Sequence, residues 1–175
     1  MSAATAPFRL LAQNNAWANA TLHRAVGTLP TGGFAAPAPG FFGSLKATLN
    51  HIWLVDLYYL DALESGGRGR AVFDQPELDD PAELARAQAD VDARFIRYCS
   101  GLTAETLTEP RQTDRPEGTV QERVDALILH LAQHQVHHRG QAHVQLQTLG
   151  VAPPQLDDFF LTYGRVPSAQ AYFDI

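Results

Sequence analysis

From Thr119 to Gly150 the chain runs without a proline and with one internal glycine, Gly140. At 1.5 Å per residue, a helix of about 30 residues is ~45 Å long. A helix of that length gains most of its stability by burying one side against other helices. The rest of the sequence supplies three. Pro7 opens a stretch through FRLLAQNNAWANATLHRAV to Gly27, with Pro30 beyond, which is proline-first, glycine-last helix punctuation. Ser44 is a suitable N-cap for LKATLNHIWLVDLYYLDAL, which stops at Gly66 and Gly67. Asp80, Pro81 and Glu83 open a third helix, with a stripe of Leu84, Gln88, Val91, Phe95, Tyr98 and Leu102 and a stop at Gly101. Thr119 and Glu122 have capping-box spacing ahead of the long fourth helix. The expected fold is all-α, a four-helix bundle forming a single domain over residues 1–175.

The connections differ in kind. Residues 28–43, TLPTGGFAAPAPGFFG, are rich in Gly, Pro and Ala and predict a long crossover loop. The polar segment 103–118 has room for a short strand pair. After Gly150, LDDFFLTYGRVPSAQAYF carries five aromatic residues, so this tail is expected to pack on the bundle or on a partner chain.

Charge and cysteine content exclude several functions. With 13 Lys+Arg against 19 Asp+Glu the net charge is -6, and Lys46 is the only lysine. No basic face exists to meet nucleic acid or anionic lipid. The single cysteine, Cys99, rules out an intramolecular disulfide and a multi-cysteine zinc site; beside Tyr98 it reads as a buried, inert thiol. No apolar run reaches the ~18 residues of a membrane span. The first residues lack a charged start followed by an apolar run, so a cytoplasmic location is expected.

The chemistry concentrates in HLAQHQVHHRGQAHVQL, which holds five of the seven histidines: His130, His134, His137, His138 and His143. Residues four apart share a helix face, giving the pairs His130/His134 and His134/His138. His130 and His138 lie ~12 Å apart along the axis, too far for one ion to take all three. An inward seam of Val120, Val124, Leu127 and Leu131 continues onto His134, His138 and Gln141. His130 and His137 fall on its flank. Two buried imidazoles without partners are costly, and a metal ion would satisfy both. A third ligand should come from another helix, and His51 lies on the expected seam of helix two with Thr48 and Val55. His23, near the end of helix one, looks peripheral. Three histidines leave a coordination position open.

These residues resemble the DinB family of bacterial four-helix-bundle proteins. The likeness rests on FFGSLKATLNHIWLVD, HQVHHRGQAHVQLQTLG, LDDFF and NNAWAN, and most specifically on His134 to Gln141 paired with the upstream LNH ending at His51. The resemblance implies a divalent metal, zinc or nickel, on His51, His134 and His138. Related branches carry out metal-dependent transfers or isomerisations with low-molecular-weight thiols. Val136 stands where the family pattern leads one to expect threonine, a change expected to remove a hydroxyl near the ligands. Arg139 is expected to pair with an acid across helices or chains, Gly140 to allow close backbone packing, and Gln141 to orient a ligand.

Three readings remain open: an enzyme with an open metal site, handling a small-molecule substrate by thiol transfer or hydrolysis; a bundle whose metal is structural; and a metal-free interaction protein. Helix two is apolar on more than one face, which predicts a homodimer.

Overall fold

The computed structural model describes residues 3–173 and 175. Four long helices form: α1 (Ala6–Val26), α2 (Leu45–Leu63), α3 (Pro81–Ser100) and α4 (Val124–Thr148). The expected caps are in place. Ser44 accepts a hydrogen bond from the Ala47 amide at 3.2 Å, and Asp80 accepts one from the Ala82 amide at 2.9 Å. Helix α1 packs on α3 and α4, and α2 packs on the same two. Sequence neighbours α1 and α2 therefore face each other across the bundle, which is why residues 28–43 have to form a long crossover.

Helix α2 is the innermost: none of its residues is exposed, and Ile52, Leu60 and Leu63 are sealed in the core. Its second apolar face is thus covered by its own chain.

One expected boundary is corrected. Thr119 and Glu122 do not cap α4; they lie in β2 (Gly118–Arg123), which pairs antiparallel with β1 (Pro110–Arg115). Thr119 faces Asp114 and Val120 faces Thr113 across the hairpin. Two residues, Pro116 and Glu117, make the turn, and Gly118 sits at φ +129°. A capping-box spacing is only four residues of information, and strand pairing over six residue pairs outweighs it. The first strand lies within 103–118 as expected, the second runs on to Arg123, and α4 starts at Val124, with 25 residues rather than about 30.

The inward line of α4 is also shifted. Val124, Leu127, Ile128 and Leu131 are buried, but the line continues through Gln135, His138, Arg139, Ala142 and Gln145. Val120 is exposed on the hairpin, and His134 is half-buried at the edge of the seam.

Polar side chains therefore occupy the middle of the bundle. Arg139 donates to Asn15 Oδ1 at 2.6 Å, Asn19 Oδ1 at 3.0 Å and Gln135 Oε1 at 3.1 Å. The same two asparagines donate their amides to Asp92, at 3.0 Å from Asn15 and 3.1 Å from Asn19. Gln88 donates to Asp56 at 2.8 Å and to Asp92 at 3.2 Å, and Gln135 also donates to Asp56. The acid expected opposite Arg139 is thus reached through asparagine relays within the chain. Burial pushes Asp56 up to about 8, helped by the nearby Asp92 charge, and pushes Asp92 up to about 6. The Arg139 guanidinium opposes this rise at both carboxyl groups.

The tail covers α1. Trp17 donates to Ser168 Oγ at 3.2 Å, its ring lies 5.7 Å from that of Phe159, and Phe159 stacks on Phe173 at 4.6 Å. A short helix, α5 (Pro167–Gln170), holds this part in place. Cys99 is buried, and burial pushes its thiol up to about 12, consistent with an inert group.

Candidate metal centre

The third turn of α2 and the middle of α4 meet around three imidazoles. His51 Nε2 stands 3.0 Å from His134 Nε2, and ligand atoms of His51, His134 and His138 all lie within 4.8 Å of one another. Two nitrogens bound to one tetrahedral ion at ~2.0–2.1 Å are separated by ~3.3 Å, so the set has the span of a metal cage. The donors fit as well. His134 Nδ1 is buried without a hydrogen-bond partner, and the 3.0 Å pair of Nε2 atoms holds either a single N–H···N hydrogen bond or, with both lone pairs directed inward, a shared cation.

Outer groups orient the cage. His138 Nδ1 is 3.1 Å from Gln141 Oε1, which places a proton on Nδ1 and leaves Nε2 as the lone-pair nitrogen. Gln141 in turn reaches His137, so it bridges two of the histidine rings. Loss of surrounding water is the largest influence on each ring: His51 is lowered to about 4 and His134 to about 3, with neighbouring histidines adding to the effect, and His138 is lowered too. All three are neutral at physiological pH, the form that binds a metal.

The remaining histidines stand apart from this set. His130 and His137 line the cleft above it without joining the group, and His143 lies on another face of α4. His23 is not peripheral in environment: burial lowers it to about 4. Two expectations for the neighbours are corrected. Gly140 is exposed, and nothing lies within 4 Å of where a Cβ would be, so it mediates no close packing within the chain. Val136 is 58% exposed on the outer side of α4, so a threonine there would not reach the ligands.

The three histidines form the floor of an open cleft of about 550 Å³. Its walls combine residues of α2 and α4, such as Tyr58, Tyr59 and His130, with side chains from the connecting segments. Phe42, at the end of the crossover loop, packs 4.4 Å from the His51 ring and 5.5 Å from that of His138. Phe73 stacks on Tyr58 at 5.2 Å, and Arg115 comes from the end of β1. Sequence reasoning did not find Phe42, Phe73 or Arg115, because loop residues carry no periodicity; the adjacent aromatics Phe41 and Phe42 just before a helix cap were the one available signal.

The model of the DinB family matches residues 1–167. The chain belongs to the DinB family. A curated relative, Protein DinB of Bacillus subtilis (strain 168), is 24% identical over 153 residues, covering 84% of this chain and 88% of the relative. Two crystal structures share the fold. A DinB-like protein from Bacillus cereus ATCC 10987 is 21% identical with a TM-score of 0.61, over 79% of this chain and 90% of that one. A DinB-like protein from Bacillus subtilis is 15% identical with a TM-score of 0.62, over 83% and 96%. Among the described residues, no helix of this DinB-family chain is long and apolar enough to cross a membrane.

Proposed function

We propose that this DinB-family protein holds a divalent metal, zinc or nickel, on His51, His134 and His138, and acts in the cytoplasm as a metal-dependent thiol transferase or hydrolase on a small molecule. The observation that carries the reading is the position of three neutral imidazoles at the floor of an open cleft. A structural zinc is normally enclosed by four protein ligands, whereas three leave a position exchangeable. An ion there would supply charge that lowers the pKa of a bound thiol, so that the more nucleophilic thiolate is present at neutral pH. The chain's own part is to bind and shield. Gln141 holds His138 in one tautomer, and Phe42 covers His51 and His138 and limits water on that side. We also propose that the protein works as a homodimer.

Metal analysis of untagged protein tests the ligand set. The natural protein should carry close to one equivalent, and His51→Ala and His138→Ala close to none; undiminished metal in both variants would sink the reading. Cobalt-substituted protein separates the catalytic from the structural role. Addition of 2-mercaptoethanol should change the visible spectrum, and the chelated protein should keep its helical circular dichroism. Chelation that unfolds the chain, with a spectrum indifferent to thiol, would establish the metal as a structural clip.

A further inference from the structure

The wall of the cleft at the hairpin and the Gly69–Asp74 turn carries two arginines, Arg115 and Arg70, against one acid, Asp114. Arg115 ends β1, is half-buried, and lines the same cleft as the three histidines. It donates one hydrogen bond, from Nη1 to Tyr59 Oη at 3.2 Å, and its guanidinium carbon stands 5.9 Å from the Tyr59 ring centroid. Among the described residues it forms no ion pair, whereas Arg94, Arg111 and Arg123 each have a carboxylate partner. A guanidinium is a fork of N–H donors shaped for an oxyanion, and most of that fork is unused here. Arg70 joins it from the neighbouring turn, also without an ion pair among the described residues.

Both arginines are presented by built structure. Tyr58 donates to the Asp114 carbonyl at 2.6 Å and fixes the end of β1 beside Arg115. The buried Asp61 carboxylate accepts from the Arg68 amide at 2.9 Å and the Gly69 amide at 3.0 Å, anchoring the turn that carries Arg70 and Phe73. Gly69, at φ +51°, lies so close to the Asp114 carboxylate that a Cβ would meet it at 1.9 Å. The turn and the hairpin are thereby locked together. Asp114 lines the same wall and offsets part of the positive charge there, a balance that matches a singly charged oxyanion. The cleft that holds both the arginines and the histidines is lined elsewhere in large part by Phe42, Val55, Tyr58, Tyr59 and Phe73.

We infer that Arg115, assisted by Arg70, is a carboxylate-binding subsite, and that the small molecule handled at the histidines carries a carboxylate on a short apolar body. This rests on the reading of the histidine floor as the reacting end. Arg115 is a specificity residue of the cleft, outside the group of three histidines.

The test uses the full chain as purified, titrated by NMR with 3-phenylpropionate and with its neutral amide. The acid should bind about ten-fold more tightly, the preference expected of a charge-assisted fork. In Arg115→Gln the preference should fall to within about two-fold, and in Arg115→Lys, which keeps charge but loses the fork, it should fall part-way. Arg24→Gln, on a different face, should keep it. His51→Ala should keep it too, because the subsite does not involve the floor. A preference that survives Arg115→Gln and Arg115→Lys but vanishes in His51→Ala would place the carboxylate at the histidines and overturn the inference. Equal binding of acid and amide to the natural protein would overturn it outright, and tighter binding of phenyl phosphate than of the acid would overturn the choice of carboxylate. Silence of the cobalt spectrum toward 2-mercaptoethanol, with the acid preference intact in His51→Ala, would remove the thiol reading and leave this subsite standing.

Discussion

Loss of water around the ring lowers His23, His51, His130, His134, His138 and His143, and that has a consequence away from the cleft. His23 lies near the end of α1, is lowered to about 4 by burial, and has Nδ1 buried without a hydrogen-bond partner. As pH falls below the ordinary value of 6.5, the unfolded chain takes up a proton there that the folded chain refuses. Stability contributed by neutral His23 is therefore complete above about 6.5 and declines until the pH reaches about 4. His23→Leu should remove this part of the slope, by roughly 1–2 kcal/mol between pH 7 and pH 4.5 in urea unfolding. Parallel curves for the two proteins would show that His23 takes no part. At this scale much of the candidate site was legible. A histidine among leucines on a helical seam is a local anomaly, and it pointed to His134, His138 and His51. Phe42, Arg115 and Arg70 were not legible, because their place at the cleft is set by crossovers that follow no period. Asn15 and Asn19 were read only as part of a family resemblance; their partner, Arg139, lies more than a hundred residues away.

Among the elements, the first three helices followed directly from their punctuation, with Ser44, Asp80 and Pro81 placed as the caps require. The second strand of the hairpin was taken for the start of α4 because β1 and β2 define each other: neither strand has a strong signal alone, and pairing across a two-residue turn settles both. The buried Arg139 network connects α1, α2, α3 and α4 through Asn15, Asn19, Asp56, Asp92, Gln88 and Gln135. Removal of the cation leaves buried carboxyl groups without compensation, so Arg139→Met should cost about 3–5 kcal/mol. Asp92→Asn added to Arg139→Met should recover part of that loss, because the remaining charge is removed. Urea denaturation measures both; a loss below about 1 kcal/mol for Arg139→Met would show that the network is electrostatically slack.

For the molecule as a whole, the surface suited to a second copy is the outer side of α4, since α2 is enclosed. Leu129, Gln133, Val136, Gly140 and Val144 recur there at three- and four-residue intervals, and Leu129, Val136 and Val144 are 50%, 58% and 53% exposed. No member of this stripe is charged, so two copies of a chain with net charge -6 can meet there without repulsion at the contact. Light scattering at micromolar concentration should give twice the 19.1 kDa chain mass, and Val136→Glu should return it to the monomer. A natural protein of monomer mass at that concentration would rule the dimer out. The division of labour within the cleft has a different implication. Its floor is written on two helices whose cores fix the bundle, while a crossover loop, a turn and a hairpin complete its walls. Substitutions in the walls alter what is recognised at little cost to folding, and those in the floor alter what is done. A lineage built on this plan can exchange one substrate for another by small steps in its connecting segments while the reaction itself is inherited unchanged.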